Sequence, residues 1–245
     1  MKEELLLEGA VAGHMNHIYD NGEMTFGELK QLLQAVSDGK VRGTEKTDGQ
    51  NIFLSFDVRA QKAKAIRNKG HIKAGGLDVE AFDDFFSEHP AQALRYSFVD
   101  ALQAFEDAVK QVDQSIQEKI FGPNNNIYFN TEVMNPGSPD LEEDDPRGMG
   151  TTNVIPYDKK TLLIHRVGHG AFEKDTGQRI DQDVTENFDM LEQAIAGMSS
   201  EDPAVFSVET NQIRKLKPIK DKEIVSNTMS EIDNLVRDRG LNDQA

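Results

Sequence analysis

Residues 45–53 read Glu45-Lys46-Thr47-Asp48-Gly49-Gln50-Asn51-Ile52-Phe53, with a lysine, a carboxylate, a glycine and a carboxamide within six residues. An apolar run follows at once. A lysine at the threshold of a buried strand can lay its stem along the sheet, but its ammonium must find a partner or meet a desolvation cost. Asp48-Gly49 reads as a turn, in which glycine takes φ > 0 freely and presents no side chain to a close-lying ligand. Lysine is a weak nucleophile at neutral pH, because only roughly one in a few thousand is deprotonated at its unperturbed pKa. A site that uses the amine must lower that pKa by desolvation or by a neighbouring cation. The implied geometry is a lysine tip at the mouth of a sheet, beside backbone open to a planar or anionic group.

Recognisable elements must position this stretch. Thr25 to Gly39 reads as a helix, with a Thr25/Glu28 capping box, an apolar face of Phe26, Leu29, Leu32, Leu33 and Val36, and Gly39 as the stop. Ile52, Leu54 and Phe56 alternate as a strand, and Lys62 to Lys69 reads as its return, with Ala63, Ala65 and Arg67 on one face. Asp78 to Lys119 reads as helical in two pieces broken near His89-Pro90, the second with Phe98, Leu102, Phe105, Val109, Val112, Ile116 and Ile120 as a core stripe. Ile127 to Met134 alternates as a strand with Tyr128, Asn130, Glu132 and Met134 on one side. Further strands are expected over Thr161–Val167 and Ala204–Val208. Helices are expected over Asp183–Gly197, with an Asp183/Glu186 capping box, and over Asp221–Arg239. Residues 135–152 read as a loop. Its acidic run Asp140 to Asp145, like the His14/His17 pair, has both a metal-binding reading and a plainer solvated one.

Lys46-Thr47-Asp48-Gly49 matches the K-x-D-G signature of the covalent nucleotidyltransferases, which include DNA ligases, RNA ligases and mRNA capping enzymes. The wider run Glu45-Lys46-x-x-Gly49-x-Asn51 resembles the E-K-x-x-G-x-N of the phage and editing-type RNA ligases. The resemblance implies an ATP-grasp-like adenylation domain of α+β class, with a mainly antiparallel, curved sheet and flanking helices. By the same resemblance Lys46 attacks the α-phosphate of ATP or another nucleoside triphosphate and carries the nucleoside monophosphate as a phosphoramidate. Glu45, Asp48, Gly49, Asn51, Arg67 and Glu132 then line the nucleotide, with Arg67 on its sugar or on the acceptor and Glu132 on its ribose. Asp48, Asn51 and Glu209 are the implied ligands of Mg²⁺. Lys215-Leu216-Lys217 fits the family's K-x-K, whose lysines neutralise the α-phosphate, and by letter equally fits a solvated strand face. Arg67 and Glu132 likewise have plain readings, as a solvated strand-end arginine and a polar residue on a half-exposed face.

Two features depart from the family pattern. The strand over residues 161–167 holds no phenylalanine or tyrosine to stack on the base, leaving His165 or Tyr157 for that task. A glutamate-glycine pair before the K-x-K motif is missing, and Glu209 stands nearest to its place. Either the arrangement is compressed around Glu209, or the remaining motifs lie beyond residue 245 and the domain is truncated. The resemblance divides the chain into an N-terminal extension and capping helix (1–40), a nucleotidyltransferase-like domain (41–220) and a C-terminal helix (221–245).

Composition sets the outer bounds. A chain of 245 residues holds one large domain or two small ones, and 37% hydrophobic with 29% charged residues fits a polar globular protein. No run is long enough to cross a bilayer, and Met1-Lys2-Glu3-Glu4 before three leucines is too short and too acidic for a signal peptide. The absence of cysteine excludes disulfides and thiolate chemistry, and agrees with a reducing cytoplasm, that of an infected bacterium on the phage resemblance. A net charge of −16 argues against broad, charge-driven binding of nucleic acid. A polynucleotide acceptor, RNA or nicked nucleic acid, would be held in a local basic groove; Lys69, His71 and Lys73 form one basic patch. The alternative class is a nucleotide-binding or regulatory protein that keeps the pocket and cannot ligate.

Overall fold

The computed structural model describes residues 24–43, 47, 49–138, 140–142, 144–152, 155, 157–211 and 214–243. Glu45, Lys46, Asp48 and the His14/His17 pair lie outside this set. In chain order the elements are α1 (Phe26–Ser37), β1 (Arg42–Gly43), β2 (Gln50–Asp57), β3 (Lys62–Ile66), α2 (Lys69–Lys73), α3 (Val79–Phe86), α4 (Gln92–Lys110) and α5 (Gln114–Phe121). They continue as β4 (Ile127–Met134), β5 (Thr161–Ile164), β6 (Gly170–Phe172), β7 (Arg179–Ile180), α6 (Thr185–Ile195), β8 (Ser207–Thr210), β9 (Arg214–Lys215) and α7 (Lys222–Asp238). The described residues fall into two compact units, 47–211 and 24–43 with 214–243. No described helix is long and apolar enough to cross a membrane.

The larger unit is α+β. Its open, seven-stranded sheet runs β3-β2-β4-β5-β8, with β6 on the far end of β4 and β7 beside β6. Every pairing is antiparallel except β5 with β8, which is parallel. Period-two alternation sends Ile52, Leu54 and Phe56 of β2, Ala63 and Ala65 of β3, Phe129 and Val133 of β4, and Leu162 and Ile164 of β5 to one face. Helices α3 to α6 cover that face with Phe82, Phe98, Leu102, Phe105, Phe121, Phe188 and Leu191, all nearly or fully buried. Each such side chain contributes about 1.5–3 kcal/mol relative to exposure. The opposite face carries a smaller apolar cluster of Phe53, Ile66, Ile72, Tyr128 and Phe172, and beside it the polar residues of interest.

The smaller unit pairs α1 with α7 and β1 with β9, Arg42 facing Lys215. The capping box forms as the sequence indicates: Glu28 N–H donates to Thr25 Oγ1 (3.2 Å) and Thr25 N–H to Glu28 Oε2 (2.9 Å).

Several boundaries depart from expectation for local reasons. The return strand stops at Ile66 because Asn68 Oδ1 accepts from His71 N–H (2.9 Å) and starts α2, putting Lys69, His71 and Lys73 on a helical turn. The long helical stretch breaks a second time at residues 111–113, where Gln117 Nε2 satisfies the terminal carbonyls of Val109 and Val112 (2.8 and 2.9 Å). Ile116, read as core, is consequently 37% exposed. The Asp183/Glu186 box does not form: Asp183 Oδ1 accepts from Thr185 N–H (2.9 Å), and α6 starts only at Thr185. The last strand of the sheet begins at Ser207 rather than Ala204, since Asp202 Oδ1 accepts from Ala204 N–H (2.9 Å) in a turn.

Candidate functional site

The face left by the helices gathers residues from distant parts of the chain into one row. Cross-strand register sets Asn51 of β2 opposite Glu132 of β4, Glu132 opposite Leu163 of β5, and Leu163 opposite Glu209 of β8. Residues directly opposite share a face, so Asn51, Glu132 and Glu209 stand in line on it, with Glu132 and Glu209 roughly 10 Å apart across two strand spacings. All three side chains are half-buried.

Glu132 is the centre of this row. Its Oε1 accepts from Gly49 N–H (3.0 Å), and its Oε2 from the Thr47 hydroxyl (2.9 Å) and from His165 Nε2–H (2.9 Å). The described residues of the lysine motif, Thr47 and Gly49, thus hang on a carboxylate more than eighty positions away. Burial pushes the Glu132 carboxyl up, but hydrogen bonds from His165, Gly49 and Thr47 outweigh it and hold it below the usual range. Glycine at position 49 is a matter of space. A Cβ there would meet Val133 O at 2.6 Å, Glu132 Cγ at 2.9 Å and Met134 Cγ at 3.0 Å, so only glycine lets the turn lie flat on β4.

A second tier of hydrogen bonds holds the neighbours. Asn51 Nδ2 donates to Asn130 Oδ1 (2.7 Å) and Thr131 O (3.0 Å), and Asn130 Nδ2 donates to Val167 O (3.1 Å). The Asn130 backbone N–H donates to His169 Nδ1 (3.2 Å), whose ring stacks on Phe188 at 4.8 Å. Sequence reasoning singled out neither Asn130 nor His169. Asn130 carried a signal, as a carboxamide sharing the strand face of Glu132, whereas His169 carried none.

His165 is a correction to the sequence reading. Its ring is fully buried under the row and bonded to Glu132, so it does not offer a face to a nucleobase. Arg67 is not brought to Glu132. It continues the Ala63/Ala65 side of β3, and its guanidinium lies over the rings of Phe98 (5.0 Å) and Phe86 (6.0 Å), among the helices. Glu209 shares the row but is engaged by Lys159 Nζ (2.6 Å) and the Ser207 hydroxyl (2.9 Å). Lys215, in β9, and Lys217 belong to the smaller unit and are exposed. Glu45, Lys46 and Asp48 lie outside the described residues.

Among the described residues no three His, Asp or Glu side chains converge on one point. Mg²⁺ needs fewer, since it keeps several waters and binds through one or two carboxylates plus substrate phosphates. Asn51 and Glu209 each offer an oxygen on this face, but they stand three strand spacings, roughly 14 Å, apart and do not meet on one ion.

Burial drives the His169 imidazole down to about 3, with the charges of His165, Arg179 and Arg166 acting the same way and a backbone hydrogen bond opposing them. A base held neutral in the fold stabilises it fully above the ordinary value of 6.5, and that contribution is lost as pH falls. Urea unfolding is expected to show about 2 kcal/mol less stability from this group at pH 5 than at pH 6.5. His169→Asn, which keeps an acceptor for Asn130 N–H, should flatten that slope. An unchanged slope would remove His169 as its source.

Comparison with protein-family models, curated proteins and solved structures returned no match to this chain.

Proposed function

We propose that the chain is an RNA-ligase-like nucleotidyltransferase with an ATP-grasp-like adenylation fold, forming a lysyl-nucleoside monophosphate at Lys46 and passing it to a polynucleotide 5′ end. One observation carries the reading: Glu132 holds both described residues of the K-T-D-G motif while standing in a row with Asn51 and Glu209. Three strands, β2 with the turn that leads into it, β4 and β8, thus supply the turn, the carboxylate and the oxygen donors that such a reaction needs, on the side of the sheet opposite α3 to α6.

The Lys46 amine attacks the α-phosphorus of ATP with its lone pair and gives up a proton. The bond to the bridging oxygen breaks, and pyrophosphate leaves with that electron pair. In the second step a polynucleotide 5′-phosphate oxygen attacks the same phosphorus, the P–N bond breaks, and the amine regains a proton. Mg²⁺ on the phosphates would orient them and offset charge on the leaving pyrophosphate. Glu132 and His165 fix the turn, while Asn51 and Glu209 face the phosphates.

Incubation with α-labelled and, separately, γ-labelled ATP in Mg²⁺ tests the proposal. Label from the α position alone should survive denaturation of the protein and vanish in Lys46→Ala. Arg67 favours a second reading, a nucleotide-binding module without ligation, because its guanidinium lies among Phe86 and Phe98 on the helical face. That reading predicts ATP-dependent thermal stabilisation with no retained label.

A further inference from the structure

A cavity of about 130 Å³ opens on the same sheet face, at the far end of β4, lined by Asp57, Lys64, Gly75, Asn124–Asn126, Tyr128, Phe172 and Lys174. Tyr128 stands four positions before Glu132 on β4, roughly 13 Å away, so the cavity is separate from the row described above. Its floor is a buried phenol. Tyr128 is 3% exposed, and its hydroxyl has no hydrogen-bond partner among the described residues. The hydroxyl faces the Gly75-Gly76 turn, where a Cβ on Gly76 would lie 3.0 Å from it. Burial, with the Asp57 charge beside it, pushes the phenol above its ordinary value, so it remains an O–H donor.

The rim is rich in further donors. Lys174 extends along the same turn, its Nζ 3.3 Å from the place of a Gly75 Cβ, and it forms no ion pair among the described residues. Lys64 Nζ is largely buried and approaches only Asp78 Oδ2, at 3.6 Å. The side-chain amides of Asn124 and Asn126 have no partner among the described residues. The loop between them is fixed by Ser55 Oγ donating to Asn125 O (3.2 Å) and by Val58 N–H donating to Asn125 Oδ1 (3.4 Å). The one carboxylate on the lining, Asp57, turns an oxygen to its own chain, accepting from Arg59 and Ala60 N–H (both 3.0 Å).

An unpaired phenol, two ammonium groups and two free carboxamides around one small space call for a ligand that offers acceptors and negative charge. We propose that this cavity is a phosphate-binding site, with Tyr128 and Lys174 as its principal donors and Lys64 in support. The phosphate is either free or the terminal group of a nucleic acid, and both present the same oxygens to these donors. The proposal does not depend on chemistry at Lys46.

Calorimetric titration with inorganic phosphate, and with one oligonucleotide carrying either a 5′-phosphate or a 5′-hydroxyl, tests it. The wild-type chain should bind inorganic phosphate, or bind the phosphorylated oligonucleotide more tightly than the hydroxyl form, and which of these occurs identifies the source. Lys174→Ala, at an exposed position, and Tyr128→Phe, which keeps the packing, should each weaken that binding about tenfold. Asp57→Asn retains the turn acceptor and removes a repelling charge, so it should tighten binding severalfold, whereas a hydroxyl-rich ligand such as a sugar would bind less well. Absence of phosphate-dependent binding, indifference to Lys174→Ala and Tyr128→Phe, or weaker binding in Asp57→Asn would each overturn the assignment.

Discussion

Glu132→Ala is expected to slow covalent nucleotide transfer to Lys46 about a hundredfold and to cost about 3 kcal/mol of folding stability. The substitution removes the one acceptor shared by Gly49 N–H, the Thr47 hydroxyl and His165 Nε2–H, and leaves the buried imidazole without its partner. Loss of stability alone would not slow a protein that is still folded under assay conditions. The rate effect instead follows from releasing the turn, since misplacement of about 1 Å is enough to lose two orders of magnitude in rate. Glu132→Gln keeps an acceptor for Gly49 and should lose less of both quantities. Single-turnover labelling gives the rate and urea unfolding the stability, while hydrogen exchange at the Gly49 amide reports whether the turn has been freed. If Glu132→Ala left labelling at the wild-type rate, Glu132 would not be positioning the motif.

The second large effect belongs to the covered face of the sheet. Phe121 is fully buried and meets Phe56 at 5.7 Å, Phe129 at 5.8 Å and Phe105 at 6.2 Å between ring centroids. Those partners come from β2, β4 and α4, so the ring ties α5 to the two central strands. Phe121→Ala should therefore cost about 3–5 kcal/mol, the range for emptying a buried aromatic site. Phe85→Ala is the control: that ring is 56% exposed, and its loss should change stability by about 0.5 kcal/mol or less. Parallel denaturant curves for the two variants make the comparison, and equal losses would contradict the core described for the larger unit.

The central strands were legible because their patterns are local. Ile127 to Met134 alternates cleanly, and both of its faces point where the alternation says they should. The Thr25/Glu28 box was equally legible, because each partner lies within one turn of the other. Local letters also misled. Asp183 and Glu186 have capping-box spacing, but the Asp183 carboxylate folds back onto Thr185 N–H instead. The short strands β6 and β7 had no signal of their own, as their pairing is set by the end of β4 and by each other.

The candidate site was legible in its letters and not in its wiring. Gly49, Asn51, Glu132 and Glu209 could each be named, but nothing in the linear order tells that Glu132 spends its acceptors on the motif and on His165. The burial of His165 was hidden for the same reason, since a histidine at the end of an apolar strand reads alike whether it faces a cleft or a carboxylate. Arg67 shows the limit of adjacency: it follows the β2–β3 hairpin closely in sequence, yet pleat parity sends it to the helical side.

Peptide mapping by mass spectrometry after incubation with ATP and Mg²⁺ decides whether Lys46 accepts the nucleotide. A mass gain of one adenylyl group is expected on the peptide containing Lys46, absent from every other peptide and reversed by added pyrophosphate. An unmodified Lys46 peptide from protein that binds ATP under the same conditions would contradict transfer to Lys46.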